Sequence, residues 1–133
     1  MTVNVRYIDG VSFEAETRGH RVRCDQPPAN GGNDEAMTPP EYLLVSLGTC
    51  AAFYAVQYLR TRQLPTDGLG VRVHAEKESA PSRLARFRID VNLPSLDDRH
   101  RDGILRAVKS CLIHNTLLNM PRIDIHLNVA AVV

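Results

Sequence analysis

The fold of this chain is decided by residues 38–56, TPPEYLLVSLGTCAAFYAV. Thr38 and Glu41 are spaced as a Thr-x-x-Glu capping box, with proline in the first turn, which is a common way for an α-helix to begin. Leu64-Pro65 stops helical continuation. The stretch therefore predicts a helix that begins after Thr38 and runs to about Arg62.

Between residues 42 and 56 the helix is apolar on nearly every side, interrupted by Ser46, Gly48 and Thr49. A helix that is apolar all round is expected to be buried all round. A sheet covers only one side of it, and an amphipathic helix covers part of the rest. The remaining face requires a second copy of the chain, so we predict a homodimer with a large apolar interface.

Alternating apolar and polar residues predict strands on both sides of the helix. The first two are joined at Asp9-Gly10, a strong hairpin signal in which both residues take positive φ. In chain order we expect strands at 3–8, 11–17, 21–24, 71–76 and 87–93, an amphipathic helix at 97–114, and a last strand at 123–129. This order predicts the α+β class, with antiparallel sheets around a long buried central helix.

Bulk properties exclude several classes of function. A chain of 133 residues with net charge +1 fits one domain, residues 1–133, and lacks the basic excess that nucleic-acid binding needs. We see no signal peptide and no uninterrupted apolar run of about 18 residues, so we expect no membrane partner. Three widely spaced cysteines are not a secreted disulfide framework, which favours a reducing, cytoplasmic compartment.

Cys50 and Cys111 are the residues that could carry chemistry, although buried cysteines often only pack. Cys24 ends a strand before a polar loop, and we expect no role for it. His114 lies three positions after Cys111, so on a helix the two share a face as a base–thiol pair or as half of a metal site. Zinc needs four ligands, usually in paired short spacings. We therefore expect no metal and no cofactor.

Two motifs in order resemble the OsmC/Ohr family of osmotically induced and organic hydroperoxide resistance proteins. The first is TPPEYLLVSLGTC, ending at Cys50, and the second is CLIHNTL, beginning at Cys111 about 60 residues later. The resemblance implies an OsmC-like fold and an intertwined homodimer with two active sites at the subunit interface. It also implies a metal-free peroxidase for organic hydroperoxides, in which Cys50 attacks the peroxide, Cys111 forms a disulfide with it, and an external dithiol restores both.

The chain departs from the well-characterised peroxidases at the helix start. Their catalytic glutamate lies ten residues before the reactive cysteine, where this chain has Pro40, and Glu41 follows one later. Glu41 is therefore the candidate third catalytic residue. Nine helical steps place it about 180° away from Cys50, so it can serve the thiol only through a bridging arginine or by shaping the pocket.

A peroxidase reaction also requires surroundings of Cys50 that favour its thiolate form. A thiol with a pKa near 8.5 is only about 3% thiolate at pH 7. Cys50 lies far from its own helix N-terminus, so we expect a cationic neighbour, most naturally an arginine. Its apolar surroundings favour organic hydroperoxides over hydrogen peroxide. The alternatives are a non-catalytic OsmC-like protein that binds a small apolar ligand, with both cysteines as lining, and an assembly module with no site.

Overall fold

The central element is helix α1, Pro39–Thr61, with the bounds that the sequence predicts. In the computed structural model, which describes residues 1–130, the Glu41 carboxylate accepts the backbone N–H of Thr38 at 2.7 Å and its hydroxyl at 3.0 Å. The predicted Thr38–Glu41 capping box is therefore confirmed. The last three residues of the predicted domain, 131–133, lie outside the described residues.

An antiparallel sheet precedes α1, with the strand order β1 (Asn4–Asp9), β2 (Ser12–Thr17) and β3 (His20–Cys24). Arg18 and Gly19 both take positive φ in the two-residue turn between β2 and β3, as a type I′ hairpin requires. The first turn differs from the prediction. Asp9 still pairs with Ser12, so the turn is centred on residues 10 and 11, and of the predicted Asp9-Gly10 pair only Gly10 has positive φ.

A second antiparallel sheet follows α1 and covers one of its sides. It consists of β4 (Gly70–Glu78) and β5 (Arg83–Asn92). Gly48 permits the close approach, because a Cβ atom there would lie 2.9 Å from Cγ2 of Val73. The buried stripe of α1 packs against this sheet and against helix α2 (Arg101–Lys109). The residues of this stripe are Leu47, Ala51, Ala55 and Leu59. The buried residues of α2 are Ile104 and Val108.

The predicted helix at residues 97–114 is wrong as a single element. The segment contains a 3-10 turn (Asp98–His100), helix α2 (Arg101–Lys109) and helix α3, which runs on to residue 118 (Leu112–Leu118). Cys111 lies between the two helices with φ −55° and ψ 128°, and it is the N-cap of α3 rather than a helical residue. The helical periodicity continues across the break, so the sequence pattern alone does not reveal it.

Two further expectations are not met within a single chain. The stripe of α1 opposite the core is exposed, with 54% of Phe53 accessible, so α1 is not buried on every side. Residues 120–130 take no regular secondary structure, so the predicted last strand at 123–129 is not formed, and Ile125 is 91% exposed. A strand needs a partner edge to satisfy its backbone, and within residues 1–130 no strand pairs with this segment.

By length and composition alone, α1 could cross a membrane, since one 18-residue window has a mean hydropathy of 1.4. The central helix of a compact domain meets the same criterion. Here the fully buried residues Leu47, Ala51, Ala55 and Leu59 recur every four positions and pack on protein elements. This packing identifies α1 as a core helix.

Candidate active site

The two predicted reactive cysteines meet where α3 packs against α1. Cys50 lies in the middle of α1 and is half-buried, whereas Cys111 is 0% exposed at the start of α3. Each of the two thiols affects the pKa of the other, and all three cysteines of the chain are free thiols. The break between α2 and α3 makes this possible, because it places Cys111 at a helix start that faces α1.

The first turn of α3 donates a hydrogen bond to the Cys111 sulfur, and its backbone amides also lower the pKa of Cys50. The backbone N–H of His114 donates to Sγ of Cys111 at 3.4 Å. The N–H groups of Ile113 and Leu112 act on Cys50. These amides have no partner within their own helix and carry the positive end of its dipole. The predicted cationic neighbour of Cys50 is thus replaced, within the described residues, by the amides of another helix.

The surroundings shift the pKa values of the two thiols in opposite directions. Burial raises the pKa of Cys50, but hydrogen bonding with the Cys111 thiol and with the N–H groups of Ile113 and Leu112 outweighs it, so the pKa is lowered. Burial also raises the pKa of Cys111, and the interaction with Cys50 raises it further against the opposing amides of His114 and Ile113. The arrangement favours a thiolate at Cys50 and a protonated thiol at Cys111.

Glu41, the third predicted catalytic residue, is not brought to the cysteine pair. It lies at the first turn of α1, where hydrogen bonds from the N–H and hydroxyl of Thr38 lower the pKa of its carboxyl. It borders a different groove, of about 510 Å³, between α1 and β4, with Gly48 and Val73. Among the described residues, no arginine acts on the pKa of Cys50. Arg6 and Arg21 are instead paired with glutamates in the N-terminal sheet.

Cys24 occupies a different electrostatic environment at the end of β3. It is half-buried, and the pKa of its thiol is raised by burial and by the charges of Asp25 and Glu41. Asp25 is itself a buried carboxylate that accepts the backbone N–H groups of Asn33 and Glu35, each at 3.1 Å. This carboxylate anchors the Pro- and Gly-rich loop that leads to α1.

An apolar cavity of about 620 Å³ is bordered by residues of α1, β5, α2 and α3. Leu47, three residues before Cys50, and His114, whose amide binds Cys111, both border it. Nδ1 of His114 is buried without a hydrogen-bond partner among the described residues. The rest of the lining is mostly apolar, with two basic side chains: Leu84, Ala85, Arg86, Phe87, Ile89, Leu105, Val108, Lys109, Leu117 and Leu118. Neither Cys50 nor Cys111 is among the residues that line the cavity.

The sequence reasoning missed the part played by α3. The residues Cys111 and His114 have the spacing of an N-cap and the third residue of a helix, which is the spacing of a capping box. A thiol is a weak acceptor and rarely counts as a capping group, so the pair was interpreted as sharing one helical face. The four-residue pattern Cys-x-x-His is therefore the sequence signal for the start of α3.

Comparisons with protein families and solved structures agree with the fold described above. The family model described as OsmC-like protein matches residues 31–126. No curated protein sequence matches the chain. A putative osmotic stress induced and detoxification response protein from Psychrobacter arcticus has a similar structure, with a TM-score of 0.80 at 21% identity over 87% of each chain.

Two other solved structures are also similar. An OsmC-like protein from Mycoplasma pneumoniae has a TM-score of 0.71 at 17% identity, covering 90% of this chain and 87% of that one. An organic hydroperoxide resistance protein from Elizabethkingia anophelis, with thiocyanate bound, has a TM-score of 0.67 at 17% identity over 90% of each chain. At such identities the likeness shows a shared fold. The predicted α+β class, with antiparallel sheets and a long central helix, is confirmed.

Proposed function

The chain belongs to the OsmC-like protein family, and we propose that it is a thiol-dependent peroxidase that reduces organic hydroperoxides. The observation that carries this proposal is the opposite effect of the site on its two thiols. Burial alone raises the pKa of every cysteine, yet the pKa of Cys50 is lowered while that of Cys111 is raised. A peroxidase needs this division, because only a thiolate attacks a peroxide.

The proposed reaction has three steps. The Cys50 thiolate attacks the terminal oxygen of the hydroperoxide, the O–O bond breaks, and the departing alkoxide takes a proton to become an alcohol. Cys50 is then a sulfenic acid, which the sulfur of Cys111 attacks, releasing water and forming the Cys50–Cys111 disulfide. An external dithiol reduces this bond by thiol–disulfide exchange and is itself oxidised to a disulfide.

The cavity bordered by Leu47 and His114 supports an organic rather than an inorganic peroxide. Its wall is built mainly of aliphatic side chains with Phe87, so a substrate with an apolar tail leaves water on binding. Each buried methylene contributes about 0.8 kcal/mol, which hydrogen peroxide cannot gain. The names of two structurally similar proteins, from Elizabethkingia anophelis and Legionella pneumophila, also include organic hydroperoxide resistance.

The same cavity favours a second candidate function, the binding of a small apolar ligand without turnover. The sequence-based form of this function has both cysteines as lining, but neither Cys50 nor Cys111 lines the cavity, so in that case both are packing residues that do not cycle between thiol and disulfide. The cavity volume of about 620 Å³ is in the range of ordinary ligand sites. The lowered pKa of Cys50 favours the peroxidase, because a packing thiol has no need of donors around its sulfur.

We further propose that the protein works as an intertwined homodimer in a reducing, cytoplasmic compartment. The exposed stripe of α1 around Phe53, together with the unpaired segment at residues 120–130, presents apolar surface that a second copy would cover. Free thiols throughout the chain fit the reducing compartment. Light scattering at micromolar concentration should give twice the chain mass, and a well-folded monomer would contradict this assembly.

The peroxidase proposal is tested by the consumption of cumene hydroperoxide with a dithiol present. The unmodified protein should consume it faster than hydrogen peroxide, and Cys50→Ser should abolish consumption. Cys24→Ser is the matched control, since it also removes a half-buried thiol, and it should behave as the unmodified protein. Parental turnover by Cys50→Ser would overturn the peroxidase assignment and leave the ligand-binding function in its place.

A further inference from the structure

His114 carries a buried polar atom that no group in the described part of the chain satisfies. Its backbone N–H donates to Sγ of Cys111 at 3.4 Å, which fixes the residue in the first turn of α3. Nδ1 of its ring is buried and has no hydrogen-bond partner within residues 1–130. A buried polar atom without a partner loses its hydration and gains nothing in return. The ring therefore has a free hydrogen-bonding position that the proposed reaction steps do not use.

The other polar side chains that border the same cavity lie towards solvent. The cavity of about 620 Å³ is lined by His114, Arg86, Lys109 and apolar residues. Arg86 is paired with Glu76 at 3.5 Å, and its side chain is 76% exposed. Lys109 is also exposed, whereas His114 is half-buried. The buried polar group of the described lining is thus the imidazole of His114.

An ordered water molecule fits this position poorly. A buried water usually makes about three hydrogen bonds, and a cavity lined by apolar side chains stays dry. A molecule with an apolar body and a single hydroxyl group needs only one polar partner. A hydroxyl group both donates and accepts, so it can bind Nδ1 in either tautomer of His114. The lining therefore favours an apolar molecule with a terminal hydroxyl group.

We propose that this cavity binds the apolar body of an organic hydroperoxide or of its alcohol product, and that Nδ1 of His114 holds the hydroxyl group by a hydrogen bond. The inference rests on the proposed function and deepens it, because it names the residue that orients the polar end of the substrate. In a hydroperoxide the hydroxyl oxygen is the terminal oxygen, which is the atom that a thiolate attacks. His114 binds and orients, and no covalent bond forms or breaks at its ring.

A matched pair of unreactive probes tests the hydrogen bond. Cumyl alcohol is the product of cumene hydroperoxide reduction, and tert-butylbenzene has the same shape with a methyl group in place of the hydroxyl. Dissociation constants of both are measured by NMR titration for the parent, for His114→Phe and for His114→Asn. Phenylalanine keeps a ring without nitrogen, and the amide of asparagine can place a polar atom near the position of Nδ1. Thermal unfolding shows that each variant is folded.

We expect the ratio of alcohol affinity to hydrocarbon affinity to fall about fivefold in His114→Phe, as for the loss of one hydrogen bond. The ratio in His114→Asn should stay close to that of the parent. The hydrocarbon reports changes in packing, which cancel in the ratio. An unchanged ratio in His114→Phe would overturn the inference, and so would a parent that binds neither probe.

Two further variants locate the site without changing His114. Ala85→Trp fills this cavity from β5, and the matched control Ala15→Trp fills a separate apolar cavity of about 550 Å³ that β2 borders. The first should weaken the binding of both probes by about tenfold or more, and the second should leave it at the parental value. Parental binding by Ala85→Trp would overturn the inference.

The binding experiments contain no peroxide, so the two proposals fail separately. A parent that binds cumyl alcohol through His114 but does not consume cumene hydroperoxide would fail only the proposed function. A parent that consumes the hydroperoxide while His114→Phe leaves the affinity ratio unchanged would fail only this inference.

Discussion

Cys24 and Cys50 are both half-buried free thiols near α1, yet their surroundings have opposite effects. Burial raises the pKa of each one. Cys24 faces the carboxylates of Asp25 and Glu41, which raise its pKa further, whereas Cys50 faces a thiol and two backbone amides that lower it. The chemical character of the neighbouring groups, rather than the degree of burial, therefore separates the raised pKa of Cys24 from the lowered pKa of Cys50.

After Cys50→Ser, the largest effect is expected from removing the sulfur of Cys111. Cys111→Ser should still react once with an organic hydroperoxide, because it leaves the Cys50 thiol in place. The product should be a sulfenic acid on Cys50 that a dimedone-type reagent traps, and turnover with a dithiol should stop. Sustained turnover by this variant would show that Cys111 does not resolve the sulfenic acid.

A difference in alkylation rate of about tenfold is expected when Cys24 and Cys50 of the unmodified protein compete for one reagent. Because the pKa of Cys50 is lowered and that of Cys24 is raised, Cys50 should be alkylated first at pH 7. Each unit between the two pKa values gives about a tenfold ratio of thiolate. Peptide mass spectrometry after brief iodoacetamide treatment measures the order, and equal labelling would remove the distinction between the two sites.

The sequence predicts α1 and the strands that flank it well because their signals are local, although the first hairpin turn is centred one residue later than predicted. The Thr38–Glu41 box and the alternation in β4 and β5 act within a few residues, and the structure follows them closely. The surroundings of Cys50 could not be predicted in this way. They depend on the break at Cys111, where the apolar spacing continues although the backbone leaves the helical region.

Two other failures have a common physical cause. The predicted strand at 123–129 and the predicted full burial of α1 both assume a partner surface that one chain does not contain. Hydrophobic periodicity indicates which residues are expected to be buried, but it does not show which chain covers them. For Glu41, helical spacing gave the correct result, since the structure places it away from Cys50 and at the capping box.

The smallest effects are expected from Glu41→Gln, which tests whether its charge distinguishes the two cysteines. Removing the charge should lower the pKa of Cys24 and speed its alkylation slightly, because Glu41 contributes to the raised value. Hydroperoxide turnover should fall far less than in Cys50→Ser. Abolished turnover with an unchanged melting temperature would instead make Glu41 a catalytic residue.

The same variant has a defined dependence on pH. The pKa of Glu41 is lowered in the folded protein, so its carboxylate stabilises the fold above the pKa of the unfolded chain. That stabilisation is lost as the pH falls through the folded value. The melting temperature of Glu41→Gln should therefore be slightly lower than that of the parent near neutral pH, and the two should converge in acid. A difference that grows in acid would contradict the capping role.

The most direct test of the account is to map the disulfides after one equivalent of cumene hydroperoxide, without added reductant. Non-reducing peptide mass spectrometry should find Cys50 linked to Cys111 within one chain, with Cys24 still a free thiol. A product in which Cys50 and Cys111 both remain thiols, or in which Cys24 is the oxidised residue, would contradict the assignment of the Cys50–Cys111 pair as the active site.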